Sequence, residues 1–486
     1  MVKMYSLKQN LGEKRSQSQQ QIIEPHVTID DDTDTTEERK PNLDTKQKIL
    51  KNLFTLTIGA MIVNIPHFSL TGLQSSLNKE GGLGAAAISC QWAGYAISSL
   101  LIAPSFFNKL GLRKSFFVSW MLLLTFIVAN AFPSWYSLIP TSILYGIGTG
   151  INWVANPTVV TSLALDYIYI KKTSDTRSII DSFHGLMLAM VNSARIWGEL
   201  ISASILLDDT EPIDDNINNA TTLNDVCGPE FCPNSNLTGT NIIRPPNEKI
   251  YLLVGVYSGC IVLGMLTLFI IDPHKPTKTI SAVDRILKTI KLQGNPRMLP
   301  LIALFVYNGF RNSLIWGDFT QAYISCELGV GYIGLTMLCM GITNTISASL
   351  IGIIHRWIPR QVFVAIAASL NMLAIVTMLL WEPSTDQFWL FFTLPAIYGL
   401  AHAIWQTQEN SIINILFPDT LDCGFVSRNM WQSIGVSTSF AIQAFLCVST
   451  KAYITIGMLL VAMVSYTILE LLIQFKWKLQ TKSDTK

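Results

Sequence analysis

Long apolar stretches alternate with short polar turns along most of the chain. Each stretch holds roughly 20 to 30 residues, which at ~1.5 Å of rise per residue is enough to cross a bilayer as an α-helix. A helix satisfies its own backbone hydrogen bonds in lipid, so the pattern predicts an all-α polytopic membrane protein. The twelve predicted transmembrane helices lie at about 50–76, 84–108, 115–133, 136–166, 179–207, 250–271, 299–323, 329–354, 361–381, 387–414, 422–448 and 452–475.

The seventh predicted span breaks the apolar pattern with two charged residues. Arg311 lies near its middle, and Asp318 follows seven residues later. Since seven residues make almost two α-helical turns, Arg311, Asp318 and the preceding Asn308 are expected on one face. An arginine at the bilayer centre costs roughly 2.5–3.5 kcal/mol on insertion scales. This face is therefore predicted to point towards protein or water and not towards lipid.

The composition agrees with a membrane protein. The chain is 50% hydrophobic and only 14% charged, whereas soluble domains carry about 25% charged residues. The lipid bilayer is thus a predicted partner, while the scattered basic residues argue against a nucleic-acid partner. The chain has no phosphate-binding glycine loop, no zinc-type Cys or His spacing and no nucleophile with an evident base, so it is predicted to be a non-enzyme without metal or cofactor.

Basic residues concentrate in one alternate set of loops, which predicts the orientation in the membrane. By the positive-inside rule these loops and both termini are cytosolic. Few basic residues fall on the other side: Lys79, Arg244, Lys249 and Lys451. The predicted cytosolic set comprises Lys109, Arg113, Lys114, Lys171, Lys172, Arg177, Lys275, Lys278, Arg285, Lys288, Lys291, Arg297, Arg356 and Arg360.

An internal repeat divides the predicted bundle into two halves. Residues 144–157 and 397–410 align without gaps and share a Tyr-Gly pair, and short basic turns at 108–114 and 355–360 occupy corresponding places. We therefore expect two six-helix halves and tails rich in polar residues, of which the first is predicted to be disordered. The predicted boundaries are a cytosolic tail at 1–48, halves at 49–271 and 299–475, a cytosolic linker with an amphipathic helix at 272–298, and a cytosolic tail at 476–486.

The longest loop on the opposite side of the membrane, 208–249, carries features of an extracellular segment. Asn219 and Asn236 each begin an N-x-T sequon and are predicted glycosylation sites. Cys227 and Cys232 share this polar loop, so a small disulfide between them is expected on the oxidising side; the alternative is two free or separately paired thiols.

Polar groups inside the spans supply the candidate site. The central-cavity candidates are Arg311, Asp318, Asn308, His402, Gln406, Glu409, Asn152 and Asn156. Glu409 or Asp318 could titrate a proton and Arg311 could contact an anion; the alternative is that Arg311 and Asp318 form a neutral structural pair. Arg195 and Glu199, spaced i,i+4, are interpreted as an ion pair that satisfies itself within the membrane.

Twelve spans in a six-plus-six arrangement resemble the major facilitator superfamily. Its cytosolic loop motif after the second span is partly present, since Gly111, Arg113 and Lys114 match but no Asp precedes them. In that superfamily the Asp belongs to a charge relay that steadies one conformation during transport. The resemblance implies that spans one, four, seven and ten line a central cavity, which would bring three of the polar stripes together.

Four longer motifs resemble the uncoordinated-93 (Unc-93-like) family, in particular its A-type members. They are LTGLQSSLNKEGGLG at 70–84, GTGINWVANPTVVT at 148–161, GDFTQAYISCELGVGYIG at 317–334 and GLAHAIWQTQENSI at 399–412. One branch of the family is a regulatory partner of a two-pore-domain potassium channel, and the B-type branch escorts Toll-like receptors. The resemblance implies a potassium channel regulator in the plasma membrane; the alternatives are a proton-coupled secondary transporter of a small solute or ion and a trafficking escort.

Overall fold

The structure is a computed structural model, and it describes residues 45–103, 106, 110–172, 176–207, 226–233, 242–272, 282–354 and 357–483. The sequons at Asn219 and Asn236 and nearly all of the predicted N-terminal tail lie outside the described residues. Glycosylation and the disorder of the tail therefore stay predictions.

Within these ranges the chain forms thirteen α-helices and no strand. The helices are α1 (Lys46–Leu77), α2 (Leu83–Ile97), α3 (Leu112–Ala129), α4 (Trp135–Lys171), α5 (Thr176–Leu206), α6 (Asn247–Ile270), α7 (Ala282–Gln293), α8 (Leu299–Ser313), α9 (Tyr332–Ile354), α10 (Arg360–Leu380), α11 (Phe388–Leu416), α12 (Leu421–Gln443) and α13 (Val448–Ser483). Helix α2 continues as a π-helix over Ser98–Ile102, and α8 continues as a longer π-helix over Leu314–Ser325, here called the π segment.

The helices account for the predicted membrane spans. Every predicted span coincides with a helix, and the extra helix α7 is the short amphipathic helix expected in the linker. Eight helical segments of the described chain are long and apolar enough to cross a membrane, and α4, α5, α8 and α12 are not among them. The chain is thus an all-α multi-pass membrane protein, and a count of twelve crossings stays a prediction.

Equivalent helices have equivalent neighbours in α1–α6 and α8–α13, which we call the first and second halves. Helix α4 packs against α2 and α3, and its repeat equivalent α11 packs against α9 and α10. In the same way α1 packs against α5 and α6, and α8 against α12 and α13. The repeat seen in the sequence is therefore also a repeat of helix packing.

The shared Tyr-Gly pair has a physical role at both copies. A Cβ on Gly146 would lie 2.0 Å from the Gln91 carbonyl oxygen of α2, and one on Gly399 would lie 2.5 Å from the Met340 carbonyl oxygen of α9. Both distances are shorter than any side chain tolerates, so glycine is what lets each helix pair approach closely.

The two halves meet along three helix pairs: α2 with α12, α5 with α9, and α1 with the π segment. Serines at these contacts allow a close approach and hydrogen bond across it. The Ser325 and Ser76 hydroxyls lie 2.8 Å apart, and Ser89 Oγ donates to the Ser437 carbonyl oxygen at 2.8 Å. These contacts lie towards the end of the bundle where α1 ends, which we call the loop face. The opposite end, where α1 and α8 begin, is the linker face.

The predicted disulfide between Cys227 and Cys232 is wrong. The structure joins Cys227 to Cys326, at the end of the π segment, and Cys232 to Cys447, just before α13. Residues 226–233, here called the strap, do not fold back on themselves but pack on the second half, where Phe231 is 2% exposed and its carbonyl oxygen accepts from the Val448 amide at 3.0 Å. Each strap cysteine therefore faces a helix-end cysteine of the other half.

Candidate functional site

Two helices of the second half bring most of the candidate residues together. Helix α8 begins with a proline in its first turn, a position where no backbone hydrogen bond is lost, and runs unbroken to the charged stripe. Its neighbour α11 presents polar side chains to it, and α12 adds an arginine. We call the resulting group the arginine cluster, which consists of Asn308, Arg311, Asn312, His402, Glu409 and Arg428.

A continuous chain of polar contacts crosses this cluster. Arg428 Nε lies 2.7 Å from Glu409 Oε2, and the other oxygen of Glu409 accepts from Asn308 Nδ2. Asn308 Oδ1 in turn accepts from Arg311 Nε at 3.1 Å. Asn308 therefore bridges a paired carboxylate and a second arginine, so three helices are held together by one buried network.

Arg311 is surrounded by neutral groups. Its side chain is 1% exposed, and Nη2 lies 3.0 Å from both Asn312 Oδ1 and His402 Nδ1. Because arginine can only donate, His402 accepts through Nδ1 and its ring is neutral with the proton on Nε2. The Tyr398 hydroxyl donates to the backbone carbonyl of Arg311, and the Tyr398 ring lies 4.8 Å from the guanidinium carbon.

Asp318 does not join Arg311, contrary to the expectation of a shared face. It pairs with Lys451, whose Nζ lies 2.5 Å from Asp318 Oδ2 and 3.1 Å from Ser313 Oγ. The side chains are 2% and 0% exposed. The reason is the π segment: a π-helix has more residues per turn than an α-helix, so seven residues no longer return to the same face.

Lys451 also corrects the sequence interpretation. The predicted spans place Lys451 in a loop on the outer side of the membrane, but it lies in the first turn of α13 and is fully buried. Arg428 is not among the predicted site residues, although an arginine within an apolar span is a usable signal. The sequence thus indicates Asp318 and Glu409 but not the basic partner of either.

Asn152 and Asn156 lie in the first half, where they take part in a different set of hydrogen bonds. Asn152 Oδ1 accepts from Trp120 Nε1 and from Asn156 Nδ2, each at 3.0 Å, which ties α3 to α4. Gln406 is partly exposed on α11, one turn beyond His402. The structure therefore separates the asparagine pair from the arginine cluster instead of placing them in one site.

Arg195 reaches across the boundary between the halves. Its Nη1 lies 3.9 Å from Glu199 Oε1, and its guanidinium carbon is 4.7 Å from the centre of the Phe68 ring and 5.4 Å from that of the Trp316 ring. Trp316, in the π segment, also contacts His402 with ring centres 6.4 Å apart. The Trp316 ring thus lies between Arg195 of the first half and the arginine cluster of the second.

The predicted loop motif acts within the first half. Gly111 adopts φ +72°, a left-handed conformation that favours glycine, at the residue before α3. Two residues later Arg113 Nη2 donates to the Ile271 carbonyl oxygen at the end of α6. Lys114 is exposed at the start of α3. The Arg113 hydrogen bond of this motif therefore connects the start of α3 to the end of α6 at the linker face.

The family model described as "Ion channel regulatory protein UNC-93" matches residues 75–469. The chain belongs to the UNC-93 family. It is 34% identical to Protein unc-93 homolog A of Xenopus laevis over 435 residues, covering 87% of this chain and 94% of that relative. The human unc-93 homolog A is 30% identical, with 87% and 93% covered. The residues of the arginine cluster all lie within the matched region.

A more distant family relative carries a functional name. A Caenorhabditis elegans protein named as a potassium channel regulatory protein, unc-93, is 27% identical over 442 residues, which are 87% of this chain and 61% of that protein.

Solved transporter structures share the fold of this family member. The nucleoside transporter NupG superposes with a TM-score of 0.57 at 13% identity, covering 85% of this chain and 98% of the transporter. The xylose transporter XylE from E. coli gives a TM-score of 0.58 at 12% identity, with 87% and 98% covered. At this level of identity the likeness concerns the fold alone, and it is the bundle expected from the six-plus-six pattern.

Proposed function

We propose that this UNC-93 family member is a non-enzymatic regulator of a potassium channel, which it contacts within the membrane. The observation that carries the proposal is the family match, which covers residues 75–469 and therefore most of the helical bundle. The C. elegans relative is named as a potassium channel regulatory protein. A two-pore-domain channel is the partner class that we propose, on the resemblance of the sequence to the branch that regulates such channels.

The strap supports a regulator more than a transporter. Transport by alternating access requires the two halves to separate at one face and then at the other. Here a segment of the first half is joined by Cys227–Cys326 and Cys232–Cys447 to the second half at the loop face. The strap thus adds a covalent connection between the two halves at the loop face, and such a connection favours a scaffold that presents a fixed surface to a channel over a protein whose halves separate.

Co-expression tests the proposal directly. Potassium current is recorded by voltage clamp in cells that express a two-pore-domain channel alone, the full-length chain alone, or both. We expect the current to change only when both are present, at an equal amount of channel on the cell surface. An unchanged current at equal surface amounts would refute the proposed activity on that channel class.

A secondary transporter coupled to protons is the second candidate function. The buried pairs Asp318–Lys451 and Glu409–Arg428 favour it, because ionisable groups inside a bundle often mark a proton pathway. In liposomes that contain the purified chain, an imposed pH gradient would drive acid entry or solute uptake. Asp318→Asn or Glu409→Gln would abolish it. A regulator predicts no such flux from the chain alone.

We also propose that the loop face is extracytoplasmic and that both termini are cytosolic, in the plasma membrane. Two disulfides at the loop face support this orientation, since disulfides persist in oxidising compartments. Impermeant labelling of a tag placed at either terminus should require permeabilised cells.

A further inference from the structure

The charges of the arginine cluster do not cancel. Glu409 is the one acid in the cluster, and it pairs with Arg428. Arg311 forms an ion pair with no carboxylate of the described chain, and its connection to Glu409 runs through the neutral amide of Asn308. The cluster therefore carries one net positive charge in the bundle interior, where an uncompensated charge is costly.

Several hydrogen-bond donors around this charge also lack an acceptor. Arg311 Nη1, Asn312 Nδ2 and Trp316 Nε1 are all buried, and none has an acceptor. Arg311 and Asn312 lie near the end of α8, and Trp316 lies in the first turn of the π segment. Their exposed fractions are 1%, 0% and 6%. Buried donors are almost always satisfied in proteins. Three donors beside an unpaired cation favour a ligand that accepts hydrogen bonds and is negatively charged.

Aromatic rings limit the kind of anion that fits. Trp316 stacks on Trp92 with ring centres 6.2 Å apart, and Tyr398 covers one face of the Arg311 guanidinium. Among these rings, a charge in excess of the single positive one would be buried without compensation. The surroundings therefore favour a small monovalent anion over a phosphate or a dicarboxylate.

We propose that Arg311, Asn312 and Trp316 form a binding site for a small monovalent anion, either a halide or a short carboxylate. The anion accepts from Arg311 Nη1 and from the neighbouring donors and neutralises the arginine cluster. The site goes beyond channel regulation and does not depend on it, because binding is measured on the purified chain without a channel.

The test is thermal unfolding of the purified full-length chain in lipid nanodiscs, followed by tryptophan fluorescence. The chain is held in sodium gluconate at constant ionic strength, and gluconate is replaced stepwise by chloride or by acetate. Since a ligand that binds only the folded state raises Tm, we expect a saturable increase of about 2–4 °C with at least one of the two anions. A response to chloride alone identifies a halide site, and a response to acetate alone identifies a carboxylate site.

Three variants separate the site from general salt effects. Arg311→Gln removes the charge and should lose the anion-dependent shift. Arg360→Gln is the matched control, because Arg360 pairs with Glu470 at 2.7 Å elsewhere in the same half, and it should keep the shift. Asn312→Asp places a carboxylate 3.0 Å from Arg311 Nη2 and removes an unpaired donor, so it should raise Tm in gluconate and abolish the response to anions.

Asn312→Asp keeps the proposal testable if Arg311→Gln does not fold. Two results would overturn the proposal: an absence of any saturable shift in the unaltered chain, or a full wild-type shift in Asn312→Asp. In either case water, and not an anion, would satisfy the donors. A change in potassium current upon co-expression would be unaffected by that outcome.

Discussion

At the scale of single residues, the stability of the interior depends on matched charges. The side chains of Lys451 and Asp318 are both almost completely buried. Forming such a pair gains little, because desolvation offsets most of the attraction. Breaking it is different, since the remaining partner is then a lone charge in an apolar bundle.

Variants of this pair should therefore behave non-additively. Lys451→Met leaves the Asp318 carboxylate unpaired and should destabilise the fold by about 3–5 kcal/mol. Adding Asp318→Asn removes the lone charge, so the double variant should recover most of that loss. The measurement is unfolding of the purified variants by heat or denaturant. Lys291→Met, on an exposed position of α7, is the control and should change little. Equal losses in the single and the double variant would contradict the pairing.

Sequence periodicity predicted part of this residue-scale picture. It placed Asn308 and Arg311 on one α-helical face, and the cavity helices of the resembled fold bring them to His402 and Glu409. It predicted the wrong helix face for Asp318, because nothing in the local composition indicates a π-helix. A change in the number of residues per turn moves a side chain to another face without any change in hydrophobic pattern.

At the scale of helices, close packing of equivalent pairs determines the shape of each half. The sequence located the helices well, because long apolar runs leave few alternatives in lipid. It could not locate their ends: α13 extends to Ser483, well beyond the apolar span that ends near residue 475. The repeat was visible as a shared Tyr-Gly pair, but only the structure shows that Gly146 of α4 faces a carbonyl of α2 and that Gly399 of α11 faces a carbonyl of α9.

The helix pair α2 and α4 offers a test of this packing. In Gly146→Ala the new Cβ would meet the Gln91 carbonyl oxygen at 2.0 Å, so the helices must separate. We expect a loss of about 1–3 kcal/mol or more, as is usual for overpacking of a tight contact. Gly255→Ala is the matched control: a Cβ there meets nothing within 4 Å, and alanine favours the helix. A Gly146→Ala variant with the same Tm as Gly255→Ala would contradict the close approach.

At the scale of the whole molecule, the strap connects the two halves covalently. The sequence suggested a small local disulfide because Cys227 and Cys232 are near neighbours in one loop. Their partners lie 99 and 215 residues away, at helix ends where a cysteine is usually interpreted as a buried thiol. Long-range pairing of this kind depends on how the halves are docked, and no spacing rule contains that information.

Cleavage of the chain between the strap and α6 distinguishes the two disulfide arrangements. A protease site inserted between residues 234 and 241 would cut the chain after both strap cysteines. Because Cys227 and Cys232 are bonded to Cys326 and Cys447 beyond the cut, the two fragments should stay together on a denaturing gel without reductant and separate when reductant is added. Cys326→Ser or Cys447→Ser alone should leave them joined by the other bond, and the double variant should release them without reductant. A local bond between Cys227 and Cys232 would instead give free fragments from the unaltered chain. The cleaved protein, whose fragments remain joined by the disulfides, also tests the proposed function. If the channel recognises a fixed arrangement of the two halves, this cleaved protein should change the potassium current as the intact chain does.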